Sequence, residues 1–304
     1  MSNIALFGTV FMDVKGFSAN PYDPIGRNPG LVKFIHGGVG RNVAEDLGVL
    51  GVPVTLVSTV DQSGIGDEII SRLQGNCVNT KHLRQVEENG MGMWLAILDQ
   101  HGDLAGSISR MPDLKLFEDL IDEKGEEIIK ESTHVAIEID LNEAISDKVI
   151  ALARKYNKPV YGLPGNLEVT LKHPELLAGM ECFVCNDIEA GKLFEVTFDA
   201  ENIEAMQVEL QKFANAKGIC SMVVTMGEKG AMYYHKGNKE SGYYKVQPVK
   251  MVDSTGAGDS FFAGLVTGFV KGYLMRESVQ FASRVAAYTI QSEESTCIGF
   301  QLNK

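Results

Sequence analysis

The sequence predicts an α/β fold, an open and mostly parallel sheet covered by helices on both faces, on two observations. Short apolar, β-rich runs recur along the chain, and segments with apolar residues at helical spacing lie between them. The strand runs are Ile4 to Phe7, Val54 to Val57, Val135 to Ile139, Pro159 to Tyr161, Cys182 to Cys185 and Met222 to Thr225. Between them, Val43 to Leu50, Ala144 to Tyr156 and Met206 to Ala216 carry apolar residues on one helical face. Such alternation is the pattern of parallel βαβ units.

Two segments depart from that rhythm. Residues Val14 to Lys33 are rich in Gly, Pro and Asn, and Met91 to Ile108 reads as a hairpin that turns at Asp99-Gln100-His101-Gly102. Together they predict a small sheet outside the main one. No internal repeat, low-complexity tract or Pro-rich linker divides the chain, so a single domain over 1–304 is expected, with a lid from about 14–34 and 91–110.

Composition narrows the function. Over 304 residues, 28 Lys and Arg stand against 40 Asp and Glu, a formal charge of −12 that disfavours nonspecific nucleic-acid or anionic-membrane partners. The longest apolar candidate, Phe261 to Val270, is far short of the roughly 20 residues of a membrane span. The amino terminus enters a strand without a secretory pattern, and five cysteines are too sparse for a disulfide framework, so a cytoplasmic location is expected.

The sharpest constellation is Asp253-Ser254-Thr255-Gly256-Ala257-Gly258-Asp259-Ser260, which leads into the helical run from Phe261. Glycines at 256 and 258 let backbone N–H groups approach an anion, and the helix that starts there adds the positive end of its dipole. Asp259 in the first turn is placed to accept a proton from an attacking hydroxyl while Gly256, Ala257 and Gly258 stabilise a transferred phosphoryl group. The alternative is an ordinary strand-to-helix turn with a helix-start acid. The pattern is not a Walker-type loop, since no Gly-Lys-Ser/Thr follows, and Gly38-Val39-Gly40 is not a dinucleotide fingerprint, since it lacks the third glycine and does not follow the first strand directly.

DSTGAGDS resembles the second signature of the PfkB/ribokinase family of ATP-dependent sugar and nucleoside kinases, and GGVGRNVAEDLGVLG at Gly37 to Gly51 resembles the first. The resemblance runs over essentially the whole chain. It implies the ribokinase-like three-layer αβα fold with a small β-sheet lid, ATP with Mg²⁺, and a monovalent cation such as K⁺ beside the anion cradle. It also implies substrate contacts from Asp13, Gly37, Gly38 and Asn42, with a helix cap before Val43 as the alternative for Asn42. Asn186 and Glu189 match the family's Asn-x-x-Glu motif, which organises nucleotide phosphate and, through water, Mg²⁺; a capping box is the alternative for this pair. Thr225, Gly227 and Gly230 resemble the nucleotide-side turn. Departures are Ser63 in place of a family Asp and Leu163 before Pro164, where a polar residue is usual.

Within the family, Asn28 to His36 leading into the first signature, Asp13 to Ser18, and Asp140-Leu141-Asn142 are most similar to pseudouridine kinases. That similarity implies transfer of the ATP γ-phosphoryl group to the 5′-hydroxyl of pseudouridine, with Asp140 at the substrate. Ribose, fructose or a purine nucleoside are the alternative acceptors, and a ligand-binding relative with weak turnover is the alternative of another class. The Cys182/Cys185 pair lies in an apolar run and reads as structural. His36 precedes Gly37 and either faces substrate or solvent. The apolar hairpin from Met91 to Leu98 needs a cover, so a homodimer is expected.

Overall fold

In the structure, a computed structural model describing residues 2–139, 141–165 and 167–302, strands and helices alternate as the runs require. The strands are β1 (Ile4–Phe7), β2 (Phe11–Ser18), β3 (Gly30–Gly37), β4 (Val54–Asp61), β5 (Val78–Val86), β6 (Gly92–Leu98), β7 (Leu104–Arg110), β8 (His134–Glu138), β9 (Val160–Leu163), β10 (Cys182–Asn186), β11 (Ser221–Thr225), β12 (Ala231–His235) and β13 (Glu240–Tyr244). The helices are α1 (Val39–Val49), α2 (Gly64–Gly75), α3 (Leu114–Glu131), α4 (Glu143–Lys155), α5 (Glu168–Lys172), α6 (Asp187–Phe194), α7 (Ile203–Lys217), α8 (Ala257–Val270) and α9 (Met275–Thr289).

The main sheet has the order β13-β12-β11-β10-β9-β8-β1-β4-β5, parallel from β5 through β11 and closed at one edge by the antiparallel pair β12 and β13. Its two faces follow from the period of two along a strand. Ile4 and Leu6 pack into one apolar layer with α1, α2, α8 and α9, while Ala5 and Phe7 pack into the other with α3, α4, α6 and α7. Burial on both faces is why these strands are continuously apolar rather than alternating.

Chain order reverses at β1, which has β4 on one side and β8 on the other. Ligands bind at the carboxyl ends of the strands flanking such a switch point. The small sheet, ordered β3-β2-β6-β7, stands above that edge. Asp61 at the end of β4 ties it down, accepting from the Met91 amide at 3.1 Å and the Gly90 amide, and from Arg110 at 3.3 Å. The neighbouring departure at Ser63 is a helix cap, its hydroxyl accepting from the Gly66 amide at 3.2 Å, so the turn into α2 survives without the family Asp. Leu163 closes β9 as a buried core side chain beside Glu138.

Helix α1 approaches the loop after β1 so closely that a Cβ on Gly40 would lie 2.5 Å from the Gly8 carbonyl carbon and 2.6 Å from its Cα. Both atoms belong to backbone and cannot swing away. Gly40→Ala is therefore expected to destabilise the fold by about 1–3 kcal/mol through overpacking, lowering the midpoint of thermal unfolding followed by circular dichroism by several degrees. A midpoint within one degree of the parent would contradict the contact.

Candidate active site

Asp259 lies in the first turn of α8, facing α1. Its Oδ2 accepts from the Asn42 side-chain N–H2 at 2.7 Å. Asn42 is thus neither a helix cap nor a group open to solvent; it is buried within α1, and its amide is oriented by partners at both ends. Its Oδ1 accepts from the Arg41 guanidinium and from the Ser295 hydroxyl, the latter at 3.3 Å. Arg41 is fully buried and donates to Glu45 at 2.7 Å, to Ser295 Oγ at 2.8 Å and to the carbonyl of His36. Glu45 in turn accepts from Arg72 at 2.8 Å, Asn76 at 3.0 Å and Thr296 at 2.8 Å. Burial pushes the Asp259 carboxyl up to about 6, although the Asn42 donor and the positive Arg41 pull the other way.

The glycine motif folds as its spacing requires. Gly256 caps α8 with φ +77, and a Cβ there would fall 1.9 Å from the Ser295 carbonyl oxygen, so only glycine fits. Of the three amides expected to meet an anion, that of Ala257 donates to the Ser254 carbonyl at 3.2 Å and so has a partner within the turn. A cavity of about 650 Å³ opens on one side of this turn. Ala257 and Gly258 line it together with Thr225, Gly227 and Gly230, so five residues far apart in sequence share one space of ligand size.

Asn186 and Glu189 form the capping box of α6, the Asn186 side chain accepting from the Glu189 amide at 2.9 Å and Glu189 Oε2 accepting from the Asn186 amide at 2.8 Å. The pair stands at the carboxyl end of β10, next in register to Thr225, but outside the lining of that cavity. Its chemistry fits a magnesium ion only as an outer, water-bridged oxygen donor, since Mg²⁺ keeps several waters.

On the other side of the cradle, Asp13 does not end the first strand as expected. It sits third in β2, on the small sheet, because the chain breaks at Gly8 to Val10 and starts a second strand. A Cβ on Gly37 would meet its carboxylate at 3.1 Å, so the acid packs directly against the glycine backbone. Burial raises the Asp13 carboxyl above its ordinary range, opposed by the charges of Lys15 and Arg41. Gly38, with φ +94, turns the chain from β3 into α1. Asp140 lies outside the described residues. Asp253 accepts from the Thr255 amide at 2.8 Å and hydroxyl at 2.7 Å, and the Lys15 ammonium stands 4.0 Å from its Oδ2, so a lysine already supplies positive charge at this loop. His36 is buried rather than solvated, 3.3 Å from Glu68, and burial lowers its pKa. Cys182 and Cys185 are buried free thiols whose ionisation burial suppresses.

The sequence reading missed Glu138. It ends β8 at the switch point, 6% exposed, and Oε2 accepts from the Thr9 amide at 2.8 Å and hydroxyl at 2.9 Å. Burial, with the charge of Asp259 as a lesser contribution, pushes its carboxyl up to about 7. The available signal was an acid inside the apolar run Val135 to Ile139.

A helix N-terminus with a carboxylate in its first turn, bordered by a cavity of ligand size on this αβα frame, is the arrangement that the sequence resemblance implies for a small-molecule kinase. The chain belongs to the pfkB family of carbohydrate kinases, whose family model matches residues 1–298. It is 38% identical over 296 residues to a guanosine-inosine kinase from Exiguobacterium acetylicum, covering 97% of this chain and 96% of that one. It is 27% identical over 293 residues to a pseudouridine kinase from Escherichia coli, covering 95% and 91%. The fold matches that of Arabidopsis thaliana ribokinase complexed with ribose and ATP, with a TM-score of 0.82, 20% identity, and coverage of 99% and 100%. The chain is thus a sugar or nucleoside kinase of this family.

Glu138 provides a test of the site's electrostatics. With the carboxyl near 7 in the folded state and in the ordinary range when unfolded, the native protein holds the extra proton in between. Stability from this group is present at low pH and lost as pH rises through about 7. Glu138→Gln, which cannot ionise, should raise the unfolding midpoint at about pH 8 and flatten its decline between about pH 5 and 8. An unchanged slope in calorimetry at several pH values would contradict the raised carboxyl.

Proposed function

We propose that the chain is an ATP-dependent nucleoside kinase that phosphorylates the 5′-hydroxyl of guanosine and inosine. The observation that carries the chemistry is the position of Asp259, whose carboxylate is held by Asn42 at 2.7 Å beside a helix N-terminus that lines the 650 Å³ cavity. The acceptor class is supported by the 38% identity to guanosine-inosine kinase, with each chain covered almost entirely. Pseudouridine, favoured by the stretches around Asp13, Asn28 to His36 and Asp140, is the second reading, supported by 27% identity.

ATP occupies the cavity lined by Thr225, Gly227 and Gly230, with its γ-phosphoryl group at the amides of Gly256 and Gly258. Mg²⁺ neutralises phosphate charge when bound, with Glu189 and Asn186 as water-bridged donors. Asp13 and the open backbone at Gly37 and Gly38 hold the ribose hydroxyls. Asp259 accepts the proton of the attacking 5′-hydroxyl, which brings the oxygen in line with the phosphoryl group. The Asn42 donor keeps that carboxylate ionised near neutral pH. Glu138, close enough to Asp259 for their charges to interact, orients the acceptor from the switch point. The small sheet covers the acceptor and excludes water as a competing nucleophile.

A coupled ADP-release assay over guanosine, inosine, pseudouridine, uridine, ribose and fructose is expected to show turnover on guanosine and inosine far above the rest. Highest turnover on pseudouridine would move the acceptor to the second reading, and silence on every acceptor would refute the kinase. Asp259→Asn should fold and bind ATP, yet lose about a hundredfold or more in turnover. In the parent, kcat/KM should fall on the acid side with a midpoint of about 6, since the base must be unprotonated. Turnover of the variant within a few-fold of the parent removes Asp259 from the role.

A further inference from the structure

We infer that Trp94 is the platform on which the acceptor's base stacks, and that it selects nucleosides over free sugars. The inference rests on the nucleoside-kinase reading and adds the group that reads the base.

The small sheet has two unlike faces, and register tells them apart. Cross-strand partners in register point to the same side of a sheet. Trp94 on β6 pairs with Asp13 on β2, which pairs with Ile35 on β3, and the next row on that face is Ala96, Lys15 and Lys33. One member of this face reaches the loop that leads into α8, the Lys15 ammonium lying 4.0 Å from Asp253, and the Asp13 carboxylate on the same face lies against Gly37 just before α1. The opposite face carries Val14, Phe34, Leu95 and Ile108 in one row, and Phe34 and Ile108 are 64% and 70% exposed to solvent. Trp94 therefore faces the acceptor cleft, next to the acid proposed to hold the ribose.

Its surroundings suit a flat aromatic ligand. The indole is only partly buried, and the Lys15 ammonium stands over one face of the ring, 6.0 Å from its centroid, leaving the opposite face for a ligand. Neighbouring strands are about 4.8 Å apart, a step comparable to that from the ribose hydroxyls to the base of a nucleoside. A ligand whose ribose meets Asp13 thus carries its base beneath Trp94. Every nucleobase has a π face for stacking, whereas free ribose and fructose have none.

Trp94 is the single tryptophan of the chain, so its emission reports on this position alone. With the full-length protein, excitation at the red edge of the indole band and no ATP, guanosine should change the emission saturably and ribose should not. Trp94→Leu should raise the guanosine KM about tenfold or more with kcat within about threefold, and Trp94→Phe, which keeps a ring, should restore most of the loss. If guanosine is turned over yet emission stays flat and the Trp94→Leu KM is unchanged, the platform is overturned while the nucleoside kinase stands. If ribose or fructose is the preferred acceptor and Trp94→Leu is without effect, both are overturned.

Discussion

Arg41, Asn42, Glu45 and Asp46 form a polar face of α1 that is buried against α8, α2 and the loop at 295–297, and charge in such a place is tolerated only when paired. Glu45 answers Arg41 and Arg72, and Asp46 accepts from Ser260 at 2.7 Å and from the Cys297 amide at 2.6 Å. The helix cannot rotate or slide without stranding one of these groups, at a cost of about 3–5 kcal/mol for a broken buried pair. The first turn of α8 is therefore held from both sides, through Asn42 to Asp259 and through Asp46 to Ser260. Glycine at 38, 40 and 256 is what permits the backbones to come this close.

This clamp is held against an electrostatic cost. Asp259, Glu138 and Asp46 are all pushed up toward neutrality by burial, so at working pH the folded state keeps carboxylates where water would serve them better. The reaction proposed above would use that condition. A carboxylate with little hydration is a better proton acceptor than one in bulk solvent, and one near 6 is ionised at neutral pH yet still basic. Stability given up at these carboxylates is recovered in the two apolar layers on either side of the sheet.

The four-stranded sheet divides its duties by face. One side carries Asp13, Lys15 and Trp94, with Lys15 reaching toward Asp253, while the other turns Phe34 and Ile108 to solvent. A period of two in the side chains makes this division possible within strands only seven or eight residues long. Asp61, which binds the amides at the base of β6, keeps that sheet attached to the end of β4 and so to the same sheet edge as the cradle.

The linear sequence determined the elements and the cradle. Apolar runs such as Ile4 to Phe7 and Met222 to Thr225 become strands because burial on both faces leaves no polar position in them, and Gly256 to Asp259 announces a helix start because no other residue than glycine takes that turn against Ser295. The hairpin from Met91 was legible from its turn, as was the aspartate inside the second signature. Only the tertiary structure decided what these residues face. Glu138 is an ordinary strand end until β8 lies beside β1, Asp13 belongs to the small sheet because the chain breaks after Phe7, and Asn42 is claimed by Asp259, 217 positions away. Asn186 and Glu189 show the converse, since a local capping box satisfies the same spacing that a phosphate motif would. Local spacing sets backbone conformation within a few residues, but a side chain's partner is set by strand order and helix docking, which depend on contacts between segments remote in sequence.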